Sequence, residues 1–134
     1  MTRTQLREQL FKLLFRVEFN KADDMPEQVD LFLADDEVIY EDVDSDYIEM
    51  KFNKILEALP RLDALIEEKA EGWTNSRIGK VELTILRLAI YEILEDDSVP
   101  AGVAINEAVE LAKKFGQDHA GSFINGVLAK FVQD

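Results

Sequence analysis

The 134-residue chain has no cysteine, which excludes disulfides, thiolate metal ligands and a thiol nucleophile together. Histidine is nearly absent as well: His119, beside Asp118, is the only one, and it reads as a surface-loop residue. No apolar run approaches the roughly 20 residues that cross a bilayer. The opening MTRTQLREQL carries charges where a secretory segment would be apolar. There is no phosphate-cradling glycine motif, and Gly116, Gly121 and Gly126 are too scattered to make one. The acidic run Asp35–Asp46 fails as a calcium loop, with Tyr40 at the turn-glycine position and Asp46 where glutamate belongs. These absences predict a cytoplasmic, non-enzymatic protein without metal, cofactor or membrane contact.

What the chain does have is helical periodicity. Leu6, Leu10, Leu13, Leu14 and Val17 form one apolar stripe over residues 3–20. Pro26 opens a short segment to about Ala34 around Val29, Phe32 and Leu33. Asp44 or Ser45 is placed to cap a helix with Ile48, Phe52, Ile55, Leu56 and Leu59 inward. Pro60 reads as the start of the next, with Leu62, Leu65 and Ile66, ending near Gly72 with Trp73 as a core anchor. IGKVELTILRLAIYEILE, residues 78–95, is apolar around most of its circumference, the mark of a central helix. Two more helices flank a loop in the last third, with Pro100 at a first-turn position and Gly116 as a left-handed cap. Only VEFN and EVIYEDV are ambiguous. The pattern predicts an all-α bundle of six or seven helices in a single domain spanning residues 1–134.

Charge is segregated. Residues 22–50 hold twelve acids and no lysine or arginine; taking these from the chain's 28 acids leaves 16 against 15 bases. The net charge of −13 therefore sits in one segment and does not veto an anionic ligand elsewhere, because screening acts within about 8 Å. Arg3 and Arg7 are four residues apart, as are Lys12 and Arg16, and Phe11 and Phe15 share that spacing. Guanidinium groups suit phosphates and stacked bases. Lys113-Lys114-Phe115-Gly116 with Phe123 could hold single-stranded RNA by charge and stacking, although both rings also suit a helix-end core. Asn106 and Asn125 lie among apolar residues, and each reads as a buried amide satisfied within the fold.

VPAGVAINEAVELAKKFG and SFINGVLAK resemble the C-terminal signature of the NusB family, VELTILRLAIYEIL its central helix, and LREQLFKLLFRVEF its arginine-rich opening. The resemblance covers most of residues 3–132 and is weakest over 21–60. It implies an all-helical fold of two three-helix halves. It also implies a transcription antitermination adaptor that binds boxA-type leader RNA together with the ribosomal protein NusE. The pair would join antitermination complexes on RNA polymerase during ribosomal RNA synthesis. By motif position, Arg3, Arg7, Lys12, Phe15, Phe115, Gly116, Gln117, Asp118 and Phe123 would meet the RNA, and Glu82 with Arg77 the partner. Thr4, Gln5 and Leu6 stand where the family often has basic or small residues, and Ser122 where lysine is common. The alternative is a purely protein-binding helical module of that complex. The sequence leaves monomer and homodimer equally open.

Overall fold

The computed structural model describes residues 1–35, 37–70 and 77–132. Six α-helices account for most of them: α1 (Arg3–Phe15), α2 (Met25–Leu33), α3 (Asp42–Lys69), α4 (Lys80–Glu95), α5 (Ala101–Phe115) and α6 (Ala120–Ala129). Two single 3-10 turns, Arg16–Glu18 and Ala22–Asp24, lead from α1 into α2. No strand occurs among the described residues, so VEFN and EVIYEDV resolve as turn and helix start. Trp73 and the expected corner near Gly72–Ser76 lie outside the described residues. The chain divides into two units, Met1–Leu56 and Glu57–Asp134, and α3 belongs to both.

The continuity of α3 corrects the reading of Pro60. The proline does not start a helix; it lies inside the continuous 28-residue α3. Proline cannot donate the backbone bond that would reach the carbonyl four residues back, which belongs to Leu56. The missing bond thus falls at the residue where the first unit ends. Two other boundaries shift. Pro100 is the N-cap of α5 rather than its first helical residue, and α3 begins at Asp42, ahead of Asp44 and Ser45.

In the first unit α1 is started by a capping box: Thr2 Oγ1 accepts from the Gln5 amide at 3.1 Å, and Gln5 Oε1 accepts from the Thr2 amide at 2.9 Å. Leu10, Phe11, Leu13 and Leu14 of α1, Met25, Val29 and Phe32 of α2, and Ile48, Phe52 and Ile55 of α3 are buried. Each such side chain contributes roughly 1.5–3 kcal/mol by leaving water. Tyr40 fastens the connection before α3: its ring lies 6.3 Å from Phe32 and its hydroxyl donates to Gln9 Oε1 at 2.9 Å. Burial, then the Asp35 carboxylate, raise the Tyr40 pKa above its ordinary 10.0, with Arg16 opposing them. A raised tyrosine means that the folded state keeps its proton longer than the unfolded chain. The stabilisation is therefore complete below pH 10 and lost as pH climbs through the raised value. Urea midpoints measured from pH 8 to pH 11 should fall at the alkaline end, and Tyr40→Phe should remove that component of the fall.

In the second unit α4 is buried from Leu83 through Glu92 without a break, as its apolar circumference requires. α4, α5 and α6 pack on one another. Ala104, Ala108 and Ala112 form a buried row of small side chains on α5, which permits close helix approach. Ile124, Val127 and Leu128 supply the buried face of α6. Lys130 Nζ donates to the Lys69 carbonyl at 2.7 Å, satisfying one of the open acceptors at the C-terminal end of α3.

Candidate nucleic-acid interface

On α1 the four expected cation and ring positions are treated differently by the fold. Arg3 is exposed at the first helical residue, whereas Arg7, one turn on, is only 7% exposed because it shares the inward face with Leu10, Phe11 and Leu14. Lys12 is exposed and lies 3.5 Å from Glu8. Arg16 turns toward α2, donating to Gln28 Oε1 at 3.0 Å and sitting 5.1 Å above the Phe32 ring. Phe15 is half-buried, with its centroid 6.3 Å from Phe11 and 5.0 Å from Phe19. Phe19 is 60% exposed and extends the four-residue spacing of Phe11 and Phe15 by one further ring. These three rings run from the core to the surface. Alanine at Arg7 should lower stability by about 2–3 kcal/mol through lost packing of its buried stem. Alanine at Arg3 should stay within about 0.5 kcal/mol. Urea titration of the two variants separates the roles.

The second set belongs to the other unit. α5 ends at Phe115 with Lys113 and Lys114 in its last turn, where cations complement the helix dipole. Phe115 and Phe123 are both half-buried, and the Lys114 ammonium lies 5.4 Å from the Phe115 ring centre. Gln117, Asp118 and His119 are exposed between the helices.

The sequence placed the left-handed residue of this loop wrongly. Gly116 is extended, with φ −90° and ψ 178°; His119 is the residue with positive φ, 71°. Backbone bonds hold His119 there, Ala120 N to Gln117 O at 3.0 Å and Phe123 N to His119 O at 3.1 Å. Glycine is required at 116 for space. A Cβ there would lie 2.7 Å from the Ala112 carbonyl oxygen and 2.7 Å from Ala120 Cβ.

Glu82 links this loop to the start of α4. It is the third residue of that helix, half-buried, with its carboxylate against Gly79 at the N-cap. A Cβ at Gly116 would sit 3.3 Å from Glu82 Oε1. Arg77, Glu82, Gln117, Asp118 and Phe123 border one open cavity of about 210 Å³. Residues singled out for a protein partner and residues singled out for RNA therefore share one concavity. His119 also borders it, and it borders as well a second, larger groove between α5 and α6. Among the described residues, no group of three or more His, Asp or Glu is arranged to hold a metal, and no helix is long and apolar enough to cross a membrane.

Six helices without a strand among the described residues, with cations and rings on the helix ends that flank the α5–α6 loop, define an all-helical binding protein. The NusB family model matches residues 4–133, and the chain belongs to the NusB family. It is 52% identical over 132 residues to the transcription antitermination protein NusB of Agathobacter rectalis, covering 98% of this chain and 100% of that one. With the same protein of Lachnoclostridium phytofermentans it shares 47% identity, over 98% and 99% of the two chains. Among solved structures, T. maritima NusB superposes with a TM-score of 0.87 at 33% identity, covering 98% of this chain and 90% of that one. A crystal structure of antitermination factors NusB and NusE in complex with dsRNA gives 0.81 at 25% identity, covering 98% and 97%.

Proposed function

We propose that this chain is a transcription antitermination adaptor that binds boxA-type RNA together with NusE during ribosomal RNA transcription. It acts in the cytoplasm, without catalysis, as part of the antitermination complex on RNA polymerase. The observation that carries the reading is the α5–α6 loop, where Gln117, Asp118 and Phe123 border the same cavity as Glu82 and Arg77. Membership of the NusB family supports it, as do relatives named for antitermination and a neighbour solved with NusE and dsRNA. Phe115 and Phe123 offer ring faces to unpaired bases, and Gly116 keeps the loop close to α6. Arg3 and Lys12 supply charge and Phe15 a ring from α1, while buried Arg7 serves that surface by holding the helix. Glu82 and Arg77 meet NusE.

The test is a titration of boxA-like RNA with and without NusE, repeated over a range of salt. Arg3→Ala and Lys12→Ala should each flatten the logarithmic salt dependence by about one unit per lost phosphate contact. Crosslinks from RNA to α1 or to the 115–123 segment are the expected outcome. The acidic 22–50 segment favours the alternative, a module that binds protein alone. Crosslinks confined to NusE would establish that alternative and end the direct-contact reading.

A further inference from the structure

The two asparagines of the last third are not buried. Asn106 of α5 and Asn125 of α6 are both exposed, and they border one groove of about 570 Å³ together with Ser122, Lys113, Glu110 and His119. We propose that this groove reads an unpaired nucleobase, adenine by the chemistry of its two amides. The inference rests on the RNA binding proposed above and adds a specificity site to it.

The geometry follows from helix spacing. Residues 106, 109, 110 and 113 recur at three- and four-residue intervals and so share one face of α5. Gly121, Ser122 and Asn125 do the same on α6. The two helices meet at Gly121, where an added Cβ would sit 3.6 Å from Val109 and 3.8 Å from Lys113. The groove opens beside that contact, and its volume lies within the roughly 300–1,000 Å³ of small-ligand clefts.

Asparagine is a poor interior helix residue because its amide competes for backbone bonds. Two of them facing one groove weaken both helices. Among the described residues, no intramolecular hydrogen bond engages either amide or the Ser122 hydroxyl. Their donors and acceptors are left for something else. An amide presents one donor and one acceptor side by side, which matches the N6 and N7 positions of adenine. Charge does not favour a phosphate here, because Lys113 lies 3.4 Å from Glu110. A neutral polar groove beside cations suits a base whose phosphates lie elsewhere. His119 borders both this groove and the 210 Å³ cavity, so an RNA strand following the α5–α6 loop reaches them in sequence.

The experiment uses the full chain with NusE and a boxA-like oligonucleotide whose adenosines are replaced singly by purine riboside or 7-deazaadenosine. With the wild-type chain, one position should lose affinity about tenfold on either replacement. The double variant Asn106→Ala, Asn125→Ala should bind unmodified RNA about tenfold more weakly and no longer distinguish the analogues. Its salt dependence should be unchanged, because no phosphate contact is removed. Alanine favours helix at both sites, so the variant should melt no lower than the parent. Undiminished discrimination by the variant overturns the inference while leaving RNA binding intact. So does a variant that loses NusE in the absence of RNA but keeps its base preference, which would make the groove a polypeptide site. A wild-type complex that binds no RNA overturns the functional reading itself.

Discussion

Replacing Asp63 with alanine should lower the melting temperature by about 10 °C. Arg87 lies midway along α4 and is 8% exposed. Its Nε donates to Asp63 Oδ1 at 2.8 Å and its Nη2 to Oδ2 at 2.9 Å, a two-pronged clasp between α4 and α3. The pair adds little when intact, because desolvation opposes the attraction. Removing the carboxylate is different, since it takes both prongs of the clasp from a guanidinium that lies buried on α4. Breaking buried pairs costs about 3–5 kcal/mol, and the 30% exposure of the Asp63 side chain puts this one nearer 2–3 kcal/mol. Asp63→Asn, which keeps an acceptor, should lose less. Calorimetry on the three proteins checks this, and a shift under 2 °C for alanine would show that Arg87 has other sufficient support.

The second large effect is expected at Gly116. Alanine there should cost about 2–3 kcal/mol and weaken RNA binding beyond what the lost stability explains. The added methyl would meet a backbone carbonyl and the first residue of α6, neither of which can rotate away. The loop must open, and with it Gln117, Asp118 and Phe123 move off the cavity that they share with Glu82. Gly126 supplies the contrast. It lies inside α6 with nothing within 4 Å of an added Cβ, so Gly126→Ala should stabilise by about 0.5–1 kcal/mol. Chemical denaturation of both variants, with RNA titration of the folded proteins, distinguishes crowding from a general intolerance of side chains. Equal effects at the two glycines would defeat the packing argument.

Local sequence was sufficient for the helices. Apolar residues at three- and four-residue spacing define α1, α2 and α4–α6 because helical geometry puts them on one side whatever packs there. The circumferential apolarity of residues 83–92 marked α4 as the helix that others surround. The absence of cysteine and the gathering of acids in 22–50 were compositional facts, independent of folding. The motifs of the last third also sufficed to suggest the family.

Tertiary structure decided the cases where two local readings were equally good. Proline can begin a helix or interrupt one, and only the continuation of α3 through Pro60 chose between them. A glycine after a helix serves either a left-handed turn or a close approach. Here the first role passed to His119, and Gly116 was left the second. Arg7 and Arg3 carry the same side chain one turn apart, yet only Arg7 falls on the covered face of α1. Asn106 and Asn125 stand among apolar neighbours in the sequence but at the edge of the α5–α6 contact in space. For the arginines and the asparagines the physical reason is the same: spacing along a helix fixes the direction of a side chain, but what lies in that direction depends on a neighbour distant in the chain.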